Sequence, residues 1–224
     1  MGSKVDGLKI AILGAGNVGG ALGRGWSRVG HTIAYGVVDP GTAKHGPIAD
    51  AAGGAEVATV LKATIGADVV VLALPFAAVP GALEAAGDLA GRVIVDVTNP
   101  MRMGSAGLEL AMGFDASAAE QVARLAPGAS VYKTLNQVGF EVMEDTGRFP
   151  IAPLMFVAGD DDGRKPLVLG MVADLGFHAV DAGGLKAARL LEPLGALWIH
   201  MAINREAGRD VAFAFSTRGE ASRP

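Results

Sequence analysis

One junction near the start of the chain limits the fold most: the apolar run Leu8 to Leu13, then Gly14-Ala15-Gly16-Asn17-Val18-Gly19, then a helical segment from Asn17 to Val29. A strand that passes through a glycine-rich turn into a helix opens a βαβ unit. Each glycine has its own task there. Gly14 permits the tight turn, Gly16 keeps a Cβ out of the path of an approaching diphosphate, and Gly19 lets the helix pack closely on the strand. The unpaired amides of the helix's first turn then face the anion. Ala15, Asn17 and Val18 complete a turn suited to a dinucleotide.

The rest of the chain keeps the alternation. Strand-type runs at Thr32 to Gly36, Asp68 to Leu74, Arg92 to Val97, Ser130 to Thr134, Leu154 to Ala158 and Phe177 to Val180 are interleaved with helical stretches at Phe76 to Gly87, Ala116 to Leu125 and Gly163 to Leu175. The strands at Leu8, Asp68 and Arg92 are apolar almost throughout, as burial on both faces of a parallel sheet demands. The expected fold class is therefore α/β, a Rossmann-type doubly wound, mostly parallel sheet with a small C-terminal helical part. Residues 1–183 form the expected dinucleotide-binding domain. Residues 184–224 form a helix and tail expected to serve dimerisation or a second substrate. In that helix, Leu185 to about Ile203, one broad face holds Leu190, Leu191, Leu194, Leu197, Trp198 and Met201, with Ile199 and Ile203 nearly opposite. A homodimer interface and burial in a small C-terminal lobe explain this equally well. Met101 to Asp115, rich in Met and Gly, reads as a mobile loop. Met101, Met103 and Met112 read as loose core filler or as an adaptable surface for a planar ring.

Composition removes other classes. With 224 residues and no cysteine, the chain has no disulfide framework and no cysteine metal site. A formal charge of −4 gives no basic surface for nucleic acid. The longest apolar run, Val69 to Val79, has 11 residues including Pro75, against roughly 20 for a bilayer span, so no membrane partner is expected. The first residues, Met1 to Gly7, carry no apolar signal core, and the expected location is the cytoplasm. Asp160-Asp161-Asp162 ends a strand and precedes a helix, where acids cap amides, so no metal is expected. His31, His45, His178 and His200 are scattered, and neither an acid/base pair nor a nucleophilic triad is visible.

The end of the second strand, Tyr35-Gly36-Val37-Val38-Asp39-Pro40, selects between NAD and NADP. Asp39, 20 positions after Gly19, suits a ribose hydroxyl. It equally suits a turn, because it opens Asp-Pro-Gly. Lys44 and His45 are within reach of a phosphate or simply solvated.

Taken together, GAGNVG, the YGVVDP segment, VLALPF at Val71 to Phe76, VDVTNP at Val95 to Pro100, KTLNQVG at Lys133 to Gly139, GDDDG at Gly159 to Gly163 and DAGGLKAARLLEPLGALWI at Asp181 to Ile199 resemble the deazaflavin (coenzyme F-420)-dependent NADP oxidoreductase family. The resemblance runs from about Lys9 to Ile203. It implies reversible hydride transfer between NADP and the C5 carbon of the deazaflavin, a small-molecule redox partner and second cofactor, with no side chain acting as a catalytic acid or base. By the same resemblance Gly14 to Val18 hold the diphosphate, Leu74, Pro75 and Phe76 line the nicotinamide ribose, and Asn99, Pro100, Leu135, Asn136 and Gln137 flank the nicotinamide. Asn136 also fits a helix N-cap. One departure stands out: the family carries a Ser-Arg or Val-Arg pair where this chain has Val37-Val38. The clamp on the 2′-phosphate is thus missing, which opens NAD use through Asp39 or NADP binding through Lys44. A flavin, imine or carbonyl acceptor is an alternative, with Tyr132, Lys133 or His178 as proton donor for the last two. So is a dinucleotide sensor without turnover.

Overall fold

The computed structural model describes residues 7–105 and 107–216. The segment Met1 to Asp6, on which most of the location expectation rests, and the last part of the C-terminal tail lie outside the described residues. Eight strands form one sheet: β1 (Lys9–Leu13), β2 (Thr32–Val37), β3 (Glu56–Thr59), β4 (Val69–Leu72), β5 (Val93–Asp96), β8 (Ser130–Lys133), β9 (Leu154–Gly159) and β10 (His178–Asp181). Their order is β10-β9-β8-β5-β4-β1-β2-β3, and every neighbouring pair is parallel except β8 with β9. The strand order reverses between β1 and β4, and the carboxyl ends there form the crevice where ligands of open α/β sheets bind.

The central strands are buried on both faces, and their two-residue period sorts side chains between two cores. Ile10, Ile12, Val69, Val71, Val93 and Val95 face one core, with Trp26 of α1 (Asn17–Arg28) and with Val168 and Met171 of α7 (Lys165–Asp174). Ala11, Leu13, Val70, Leu72 and Ile94 face the other, with Ala63 of α3 (Val60–Thr64), Leu83 of α4 (Val79–Ala86) and Val122 of α5 (Ala118–Leu125). Helices cover both sides, as the apolar strands require.

Sequence reasoning missed several elements. β3, α2 (Gly46–Ala51), α3 and α6 (Phe140–Glu144) are four to six residues long, too short to display a period. The expected loop at Met101 to Asp115 is instead largely an antiparallel hairpin of β6 (Met101–Gly104) and β7 (Gly107–Leu110), with Arg102 opposite Glu109 and 2.9 Å from it. Met103 is 79% exposed on that hairpin and is not core filler. The last helix is divided: a 3₁₀ turn at Leu185–Ala187, α8 (Ala188–Ile199) and a π-turn at His200–Asn204. Leu191 and Trp198 of its apolar face are buried, while Leu190, Leu197 and Met201 stay exposed.

Candidate functional site

Three cavities lie along the carboxyl edge of the sheet. The first, about 700 Å³, opens between the end of β2 and α4 and is lined by Gly14, Val37, Val38, Asp39, Lys44 and Leu74, among others. The second, about 420 Å³, lies against the glycine turn, with Gly16, Asn17, Val18, Leu74, Pro75, Phe76 and Asn99 in its walls. The third, about 240 Å³, shares Val18, Asn99 and Phe140 with the second and extends to Asn136, Trp198 and Ile203. Residues far apart in sequence thus meet along one edge. Ala15, Gly19, Pro100, Leu135 and Gln137 line none of the three.

The three turn glycines differ in what surrounds them. Gly14 has φ +109°, and a Cβ there would run into the carbonyl oxygen of Ala73. A Cβ on Gly19 would overlap the carbonyl oxygen of Gly14. Those two are required by the fold itself. Gly16 is not: a Cβ on it would meet nothing within 4 Å and would project into open space beside the second cavity. Gly16 is also the N-cap of α1, with no side chain capping the helix. The first-turn amides are therefore left for an anion, with the positive end of the helix behind them.

At the end of β2, Asp39 behaves as a turn former. Its carboxylate accepts hydrogen bonds from the Gly41 amide and the Thr42 hydroxyl, both at 3.1 Å. Val38 is 97% exposed. His45, expected either to reach a phosphate or to be solvated, is buried in a short 3₁₀ turn with its Nδ1 unpartnered among the described residues, and it lines the first cavity beside Lys44.

The far end of the groove rests on a pair of asparagines. Asn99 Nδ2 donates to the Asn136 carbonyl at 2.8 Å, and Asn136 Nδ2 donates to Asn99 Oδ1 and to the Leu191 carbonyl, both at 3.0 Å. Asn136 is not a helix N-cap; Gly139 occupies that position for α6. Leu135, buried at φ +57°, turns the chain through the left-handed region to bring Asn136 back towards Asn99. Gln137 points away, clipped to the Phe156 amide and carbonyl of β9. Gly195 of α8 seals the pair, for a Cβ there would stand 2.6 Å from both the Asn136 carbonyl and Asn99 Oδ1.

Beneath the asparagines lies a buried ionic cluster that sequence reasoning missed. Lys133 Nζ sits 2.7 Å from Asp96 and 3.2 Å from Glu192, and it donates to the Thr98 carbonyl at 2.8 Å. The Asp96 contact is too oblique for a good hydrogen bond, so charge holds it. Glu192 also accepts from the Ala118 and Ala119 amides at the start of α5. Burial pushes its carboxyl up, against the opposing pull of Lys133. The strings KTLNQVG and LLEPL each hold one partner, but nothing in their spacing shows that they meet.

The other candidates fall outside the groove. Tyr132 is buried, donates to the Asp161 carbonyl, and has its phenol pushed up to about 12 by burial. His178 is exposed and lines no cavity. Asp161 caps the amides of Gly163 and Arg164, and Asp160 accepts from the Leu185 amide.

Fold and turn together define the class: a Rossmann-type α/β protein of the dinucleotide-binding kind. The family model for coenzyme F420-dependent NADP oxidoreductase matches residues 9–100. A crystal structure from Arthrobacter sp. FB24, provisionally described as an F420-dependent NADP-reductase, is 30% identical with a TM-score of 0.85, covering 94% of this chain and 100% of that one. The chain belongs to the F420-dependent NADP oxidoreductase family. The F420-dependent NADP reductase of Methanocaldococcus jannaschii is 27% identical over 140 residues, 61% of this chain. That match spans 62% of the archaeal reductase's length. A reductive aminase from Aspergillus terreus, in complex with NADPH and ethyl-5-oxohexanoate, shares the fold at TM-score 0.65 and 23% identity, covering 87% of this chain and 61% of that one.

Proposed function

We propose that the protein transfers hydride reversibly between NADP and the deazaflavin coenzyme F420, as the names of its relatives suggest. The observation that carries this reading is Gly16. Of the three turn glycines it alone has no internal reason to lack a side chain, and it faces the cavity at the free amides of α1. A diphosphate fits that need. Asn17 and Val18 would flank it, the first cavity would take the adenosine, and Leu74, Pro75 and Phe76 would lead to the nicotinamide at Asn99 and Asn136. The third cavity, walled by Trp198, Ile199 and Ile203 from the C-terminal segment, would receive the second ring. Residues 184–224 thus act as a second-substrate element on a domain formed by residues 1–183.

The two coenzymes, when bound, supply the redox chemistry themselves. The chain's residues bind, orient and exclude water. The Asn99–Asn136 pair, with Asn136 buried and Asn99 half-buried, fixes the wall between the second and third cavities, and the apolar side chains around it keep the reacting faces dry. A carbonyl or imine substrate would need a proton donor instead. Of the three side chains suited to that role, Tyr132 and Lys133 are buried away from the groove and His178 is outside it.

We further propose NADP over NAD. All three residues line the first cavity, but the Asp39 carboxylate is engaged in its own turn, whereas Lys44 and His45 are available where a 2′-phosphate would be recognised. A cytoplasmic homodimer using the exposed stripe of Leu190, Leu197 and Met201 completes the proposal; light scattering at twice the chain mass would support the dimer. The test of function is nicotinamide absorbance with NADPH or NADH, with and without the deazaflavin. Oxidation of NADPH only when the deazaflavin is present is expected. Turnover with a different acceptor, or tight binding with no turnover, would overturn the reading.

A further inference from the structure

We infer that Arg209 is the residue that recognises the anionic tail of the second coenzyme, an inference that rests on the deazaflavin reading above. Beyond the π-turn the chain folds back over the site, fastened by Trp198 Nε1 donating to the Val211 carbonyl at 2.7 Å and by the Leu154 amide of β9 donating to the Phe213 carbonyl at 2.8 Å. This return places Arg209 in the walls of both the second and the third cavity. Among the described residues lining those two cavities it is the sole charged side chain.

Its guanidinium is already oriented. The carbon Cζ lies 5.3 Å from the Phe140 ring centre and 5.8 Å from that of Trp198, within range of cation–π attraction to both. Nε donates to Glu141 Oε1, while Nη1 and Nη2 have no acceptor among the described residues. Glu141 is itself only half used, since its Oε2 is buried without a partner among the described residues. The result is a planar pair of N–H donors, held from behind by one carboxylate and two aromatic faces, with its outer edge open at 43% side-chain exposure. Such a fork matches phosphate or carboxylate oxygens.

Two anions are near enough in principle: the dinucleotide's diphosphate and the tail of the other coenzyme, which carries phosphate and carboxylate groups beyond its ring and ribityl chain. The packing favours the tail. The diphosphate has the amides of α1 to itself, while Arg209, at the junction of the two cavities over the shared Phe140, also lies over Trp198, which lines the third cavity and not the second.

The test is equilibrium calorimetry on the full chain with three probes: intact F420, its tail-less ring-and-ribityl fragment, and NADP. In the unaltered protein the intact coenzyme binds more tightly than the fragment. In Arg209→Met that advantage falls about 10- to 100-fold, the size of one charge-assisted contact, and Arg209→Lys retains part of it. NADP affinity measured on the same samples reports that the fold and the turn are intact. An unchanged ratio of intact to fragment affinity overturns the inference, and so does a loss that falls on NADP alone. Failure of the unaltered protein to bind either deazaflavin overturns the parent reading, which separates that failure from this one.

Discussion

The two ends of the groove are built by opposite means. At the β1 end the surface proposed to face the diphosphate is the main chain of the glycine turn, supplied by residues within six positions of one another, none of them with a charged side chain. At the β5 and β8 end the bonds that tie the wall together join distant parts of the sequence: Asn99 with Asn136 across 37 positions, Asn136 with Leu191 across 55, Ala118 with Glu192 across 74. An ammonium and two carboxylates are buried beneath it. The first end is a local device that one residue can disable while the fold stands. In the second, the groove wall and the stability of the domain depend on the same bonds.

The comparison predicts where substitutions hurt. Lys133→Met removes the cation between Asp96 and Glu192 and leaves two buried carboxylates facing each other. A loss of about 3–5 kcal/mol is expected, read from urea denaturation, and a loss under about 1 kcal/mol would break the contrast between the two ends. Gly16→Val acts mainly on the ligand. Its branches fill the open space at the turn, so NADP affinity should fall at least about 100-fold, or about 2.7 kcal/mol, while loss of glycine at the N-cap of α1 lowers stability by only about 1 kcal/mol. Unaltered affinity would mean that the turn is not the site. Val38→Arg restores a guanidinium beside the first cavity and should raise the preference for NADP over NAD about tenfold. An unaltered ratio of dissociation constants would show that the 2′-phosphate is read elsewhere.

The same contrast explains what was legible in the sequence. The glycine turn and strands β1, β4 and β5 announce themselves because the constraint is local: a backbone position or a run of buried side chains. β3 reads Glu-Val-Ala-Thr at the sheet edge and gives no apolar run. The hairpin of β6 and β7 hides because its strands are four residues each and partly exposed. Asn136 looked like a cap because its partners, Asn99 and the Leu191 carbonyl, are invisible in one dimension. Arg209 acquires meaning only when the tail folds back over Trp198. Asp39 carried two readings, and the structure shows both sides of it: its carboxylate accepts from its own turn's donors, and the residue lines the first cavity.

The smallest effect separates two carboxylates that brace the C-terminal helix in opposite electrostatic settings. Glu120 of α5 accepts from Arg189 Nε at 2.8 Å and Nη2 at 2.7 Å, with the Ser117 hydroxyl also donating at 2.8 Å. The guanidinium, then the hydroxyl, hold its carboxyl down to about 2 against an ordinary 4.5. Between those values the unfolded chain binds the proton and the native one does not, so the pair's stabilisation is full above about pH 5 and is lost as pH falls towards 2. Both side chains remain partly exposed, at 27% and 21%, which limits the effect to about 0.5–1 kcal/mol. Glu192 has the reverse sign. Its carboxyl is pushed up by burial, so over a window just above the ordinary carboxyl value the native state holds a proton that the unfolded state has released. Stability declines as pH rises through that window until Glu192 is the carboxylate that faces Lys133. Glu120→Gln should therefore flatten the acid limb of stability against pH, and Glu192→Gln the opposite limb. If both flatten the same limb in denaturation series from pH 3 to 8, the two braces share one electrostatic environment and the proposed division between them is wrong.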